Sequence, residues 1–216
     1  MRDKTLRQDI IDEFEFEPSF DGAHVGIAVE DGVVTLTGHV GSYSQKLAAV
    51  AAAQRVKGVR GIADEIEVRY PDNPKTDDQQ IARRALDLLR WDSTVSQYEI
   101  TALVSAGWVT LSGTVNWQFE RRAAESCIRK LGGVVGVLNH IKLKQRTTSR
   151  GVKAKIEAAL ARHAAVEAGA IRVSVTGGDH VVLEGEVDSW RDRSAAEHAA
   201  WSAPGVMSVD DLIVVR

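Results

Sequence analysis

The stretch GVVTLTGHV at 32–40 returns as GWVTLSGTV at 107–115 and, more loosely, as DHVVLEGEV at 179–187. Its anchor glycines, Gly38, Gly113 and Gly185, stand 75 and 72 residues apart. A period of that size restricts a chain of 216 residues to one small module written three times, with bounds at 1–72, 76–147 and 150–216. A domain of this size buries only about 60% of the surface its unfolded chain exposes. Packing of the modules on one another is therefore expected, and the polar, short connections PDNPKTDD (71–78) and QRTTSRG (145–151) favour it.

Each copy opens on apolar residues spaced i, i+4, i+8, one face of a helix: Leu6, Ile10 and Phe14, then Ile81, Ala85 and Leu89, then Val152, Ile156 and Leu160. Pro18 stops the first helix. A loop follows with one apolar residue at a fixed offset, Phe20, Val95 or Val166, read as a plug over the end of the core. Two alternating strands come next, turning at Asp31-Gly32, Ala106-Gly107 and Gly177-Gly178, where glycine supplies the positive φ of a hairpin. The alternation places Gly38 on the inward face with Leu36 and Val40, which reads as close packing under a crossing helix, with close approach of a ligand as the alternative.

A second helix rich in alanine starts behind Ser42, Asn116 and Ser189 as N-caps, and Ser42 with Gln45 has capping-box spacing. It ends near Gly58, Gly133 and Gly205, residues suited to a left-handed helix cap. A last strand closes each copy. The expected class is α+β: three tandem α-β-β-α-β modules, each a three-stranded sheet covered on one face by two helices. A right-handed crossover makes the third strand parallel to the second.

Chemistry finds little support. The six histidines occupy different module positions, and none stands i, i+4 from another or from a cysteine. No Walker or Gly-x-Gly-x-x-Gly loop and no nucleophile elbow is present. The carboxylate pair Asp210-Asp211 recurs as Asp64-Glu65 but then as Asn139-His140, which argues against a catalytic dyad. No enzyme activity, metal or cofactor is expected. Cys127, the single cysteine, excludes an internal disulfide and reads as a small helix residue.

The charged opening stretch lacks an apolar core like that of a secretory signal, and no apolar run approaches a membrane span, so a cytoplasmic location is expected. Net charge is −3, unevenly distributed: 8 basic and 13 acidic residues in 1–72, 11 and 7 in 73–147, 8 and 10 in 148–216. Only the middle module is basic, and acids interleave its basic residues, so nucleic acid is not an expected partner.

The chain resembles the BON domain, named for bacterial osmotically induced and nodulation proteins. The resemblance rests on the element order, on the three glycine-anchored strands, and on VKGVRGIADEIEV, LGGVVGVLNHIKL and APGVMSVDDLIVV near the copy ends. It implies a non-enzymatic binding module linked to osmotic and envelope stress, with anionic phospholipid or envelope-associated proteins as partners. It also implies a periplasmic location as the alternative to the cytoplasm, since many members are exported.

In members that bind lipid an opening helix is the contacting element. Here that implication falls on the opening helix of the middle copy, where Arg83, Arg84 and Arg90 project from the faces left open once Ile81, Ala85, Leu88 and Leu89 are buried, with Trp91 at the rim. A tryptophan beside arginines suits a headgroup layer; the bland alternative is a solvated face with a packed ring. A second candidate is the start of the second helix: Tyr43, Trp117 and Trp190, followed by Arg121, Arg122, Arg191 and Arg193. These residues form either an anion or partner contact or the packing surface between modules. Two rival functions remain: a protein–protein scaffold or chaperone-like stress factor, and a potassium sensor of the kind described for a relative that carries an extra domain.

Overall fold

The computed structural model describes residues 2–70, 77–144, 151–162 and 171–216. Val166, His163 and most of both connections lie outside the described residues.

The first module runs α1 (Arg2–Phe16), a short 3-10 turn (Gly22–His24), β1 (Val25–Glu30), β2 (Val33–Val40), α2 (Tyr43–Arg55) and β3 (Gly61–Val68). The second has α3 (Asp78–Trp91), β4 (Thr101–Ser105), β5 (Trp108–Val115), α4 (Gln118–Arg129) and β6 (Gly136–Leu143). The third has α5 (Val152–Arg162), β7 (Ile171–Thr176), β8 (His180–Val187), α6 (Trp190–Trp201) and β9 (Ser208–Val215). The expected α-β-β-α-β order holds three times. In each sheet the hairpin's second strand is central, antiparallel to the first and parallel to the third.

Each module has its own core. In the first, Leu6, Ile10 and Phe14 of α1 and Ala49, Ala52 and Ala53 of α2 meet Val34, Leu36 and Ile66 of the sheet. Phe20 and Val95, the plug residues, are buried as expected. The edge-on contact of Phe14 and Phe20, with centroids 5.0 Å apart, seals the helix end of the first core.

The hairpin tips are type I′ turns, with φ of 48° and 78° at Asp31-Gly32 and 51° and 78° at Ala106-Gly107. The opening helices hold them from above: the Asp3 carboxylate accepts the N–H groups of Asp31 and Gly32, and Asp78 accepts those of Ala106 and Gly107 at 2.8 and 3.0 Å.

Four sequence expectations need correction. Gly38 is exposed and does not lie beneath a helix. Its φ is +106°, and a Cβ there would meet the His24 carbonyl oxygen at 2.1 Å, so the close neighbour is the entry to the antiparallel partner strand. Gly113 and Gly185 share the positive φ, at 153° and 146°. Gly58, Gly133 and Gly205 also have positive φ, but beyond the helix caps: each sits third in a tight turn, closed for Gly58 by the Val59 N–H donating to the Val56 carbonyl. Glycine at that position is what a type II turn requires.

Asn116 is not an N-cap, because the helix begins one residue later behind Trp117; its backbone N–H donates to Glu120 instead. Ser42 and Ser189 do cap their helices, accepting the N–H groups of Gln45 and Asp192. Leu88, expected inside, is 39% exposed, because the inward row is Ile81, Ala85 and Leu89, and a residue one step earlier lies roughly 100° around the helix.

Every module touches the other two. The Tyr70 hydroxyl donates to the Val134 carbonyl at 2.7 Å, and Tyr43 packs on the second core, joining modules one and two. The Trp190 indole donates to the Val59 carbonyl at 3.0 Å, joining three and one. Arg122 pairs with Glu197 at 3.1 Å, joining two and three.

Candidate functional site

The outer surface of α3 sets an exposed tryptophan beside three arginines. Its buried row points Arg83, Arg84 and Arg90 to solvent, and no ion pair or hydrogen bond holds these guanidinium groups among the described residues. Trp91, at the last position of the helix, is 89% exposed, and Leu88 lies one turn before it. Arg84, Leu88 and Trp91, spaced i, i+4, i+7, form a single stripe with an apolar end and a cationic start. Asp87 is the one acid within this surface.

Module one has a counterpart that sequence reasoning missed. Phe16 holds the position of Trp91 at the end of α1 and is 88% exposed. Its setting is the reverse, since Glu13 and Glu17 flank it and Arg55 bonds both of them, at 2.7 and 2.8 Å. The exposure was readable from the helical period, because Phe16 falls two residues past the inward row.

The starts of the second helices are spent differently. Tyr43 and Trp190 lie in module contacts, and burial pushes the Tyr43 phenol above its ordinary value. Trp117 is half-buried. Arg193 stacks over Trp190 with 5.2 Å to the ring centroid and binds Asp211 through Nε at 2.8 Å. Arg122 is taken up by Glu197, whereas Arg191 is exposed. Arg121 lies over the Trp201 ring of the third module at 5.3 Å. These seven residues thus form no single surface.

The Asp210-Asp211 pair is structural. Asp211 accepts the Ile213 N–H at 3.0 Å, as Asp64 accepts that of Ile66 and Asn139 that of Ile141. Asp210 faces His180 at 3.2 Å. Among the described residues, no group of three His, Cys, Asp or Glu side chains is placed to hold a metal ion.

A buried carboxylate also escaped the sequence reading. Glu120 is 5% exposed and accepts the Tyr98 hydroxyl and the N–H groups of Asn116 and Trp117, all at 2.9 Å. Three donors satisfy it, so it fixes the start of α4. On the open face of the second sheet, Leu103, Trp108 and Leu138 are 70%, 48% and 45% exposed. They follow from strand alternation, and the Trp108 ring lies over Gly136, where a Cβ would come within 2.4 Å of it. Among the described residues no helix is long and apolar enough to cross a membrane.

Comparison with known proteins agrees with this architecture. A relative from Escherichia coli (strain K12), "Osmotically-inducible protein Y", is 31% identical over 129 residues, 56% of this chain. The alignment spans 62% of that relative's own length. Two solved structures of CdsD, a structural protein of the type III secretion system of Chlamydia trachomatis, align over 98% of the chain at 16% and 18% identity, but with a TM-score of 0.26. That score carries no structural argument. The family model of the BON domain matches residues 2–70, 77–145 and 149–216. With three matches that together span nearly its whole length, the chain belongs to the BON-domain family.

Proposed function

We propose that the chain is a non-enzymatic binding protein of the osmotic stress response that attaches peripherally to anionic phospholipid through α3. One observation carries this reading: Trp91 stands 89% exposed at the end of a helix whose three arginines have no partner among the described residues. An indole is at home at headgroup depth, and unpaired guanidinium groups next to it meet lipid phosphates. Each basic residue near an anionic surface contributes roughly 1 kcal/mol at moderate ionic strength. The matching position in module one presents Phe16 among carboxylates, which an anionic surface would repel. The osmotic link comes from the similarity to an osmotically inducible protein.

Flotation with vesicles of phosphatidylglycerol, against vesicles of phosphatidylcholine alone, tests the reading. Binding should require the anionic lipid and fall with added salt. Equal recovery with both vesicles, or none with either, removes it. Cell fractionation would show whether the protein meets the membrane from the cytoplasm or from the periplasm.

A second reading has its own observation. Leu103, Trp108 and Leu138 on the open sheet face of module two suit a protein partner, in line with a scaffold or chaperone-like role. Crosslinking to defined proteins without membrane enrichment would favour it.

A further inference from the structure

The three modules place one basic residue at the same point of the second helix: Lys46, Arg121 and Arg193. In module one Lys46 meets the Asp64 carboxylate at 3.2 Å, and in module three Arg193 meets Asp211 at 2.8 Å. Module two has Asn139 in place of that aspartate. The Asn139 amide donates to the Arg121 carbonyl and to Glu125, both at 3.0 Å, and offers the guanidinium no anion.

Arg121 consequently lies half-buried over Trp201 without a hydrogen-bond acceptor for its side chain among the described residues. Burial lowers its pKa from the ordinary arginine value, the sign of a cation stripped of water without full compensation. It lines a cleft of about 540 Å³ between α4 and α6. Gln118 and Arg129 also line it, with their partnerless Oε1 and Nε atoms buried beneath its surface. The cleft's carboxylates are engaged, Glu125 with Arg129 and Glu197 with Arg122 and the Trp201 indole.

We propose that this cleft binds a small oxyanion of the phosphate class at Arg121, which takes the place of the aspartate that modules one and three supply internally. The oxyanion accepts from the Arg121 fork. A guanidinium favours such two-pronged contact with phosphate. Because Trp201 and Glu197 belong to the third module, occupancy also ties α4 to α6. The site shares no residue with the α3 surface and stands apart from the lipid reading.

Calorimetric titration of the full chain with inorganic phosphate at low ionic strength tests this. Saturable binding at or below about 1 mM is expected. Arg121→Gln should weaken it at least about tenfold, as the loss of a charge-assisted bidentate contact implies. Asn139→Asp, which restores the aspartate of the sibling modules, should weaken binding similarly while the protein keeps its fold by circular dichroism. Retention of glycerol 3-phosphate would assign a soluble ester, whereas binding only to phosphatidic acid vesicles, abolished by Arg121→Gln, would assign a lipid headgroup. Absence of saturable binding to every phosphate probe, or unchanged affinity in both folded variants, overturns the proposal.

Discussion

The indole N–H of Trp190 donates to the carbonyl of Val59 at 3.0 Å across 131 residues of sequence. The same carbonyl in module two, that of Val134, accepts the Tyr70 hydroxyl. A carbonyl beside a buried valine is thus the docking point for an aromatic donor from another module, at two of the three module contacts. Without the donor a largely desolvated oxygen stays unpaired, at a cost of about 1–3 kcal/mol.

Trp190→Phe keeps most of the ring and deletes the donor. It should lower stability by about 1–2 kcal/mol, read as a lower urea midpoint. Trp91→Phe, on a fully exposed rim, should stay within about 0.5 kcal/mol of the parent. Equal midpoints for the two variants would show that this hydrogen bond between modules three and one contributes nothing to stability.

Gly38→Ala places a Cβ 2.1 Å from the His24 carbonyl oxygen at a φ of +106°. Relief requires the β1–β2 pairing to open at its Val25 end, so a loss of about 3 kcal/mol or failure to fold is expected. Gly132→Ala is the matched control, since nothing lies within 4 Å of its Cβ, and it should change stability by less than about 0.5 kcal/mol. Thermal unfolding of the two proteins side by side checks the contrast.

Cys127 donates its S–H to the Asp92 carboxylate at 3.0 Å. Burial first, and then that carboxylate, push the thiol pKa up to about 11 from an ordinary 9.0. Near pH 8 the thiolate fraction is then about 100-fold below that of an ordinary cysteine, and reaction with Ellman's reagent should slow to match. Asp92→Asn removes the negative charge, so the pKa falls and the reaction quickens. A rate equal to that of free cysteine in the parent protein would contradict the geometry.

On α3, Arg83→Glu with Arg84→Glu reverses two charges and should weaken binding to anionic vesicles by at least about tenfold. Trp91→Ala should weaken it too, through loss of the inserted ring, but without changing the salt dependence. Unaltered flotation in both variants would move the contact away from α3.

Much of the fold was legible because its signals are local and repeated. Helical spacing such as Leu6, Ile10, Phe14, the hairpin glycines and the strand alternation each express a period set by backbone geometry. Three copies in register averaged out the irregularities of any one. The local errors came from neighbouring backbone. Gly38 follows the inward alternation, but its positive φ and the His24 carbonyl are properties of a strand pair. Leu88 is apolar but lies roughly 100° around the helix from the buried row of Ile81, Ala85 and Leu89.

The sequence by itself determined the module, its number and the order of its elements, because hydrophobic period and turn chemistry act over a few residues at a time. It also named the α3 arginines and Trp91, whose exposure follows from the helix row they are excluded from. Only the tertiary structure decided where the aromatic helix starts go, since Tyr43 and Trp190 find their partners in other modules. It alone set Arg121 over Trp201, with no ion pair to its guanidinium among the described residues. Both are relations between surfaces brought together from far apart in the chain, and no local period encodes which surfaces meet.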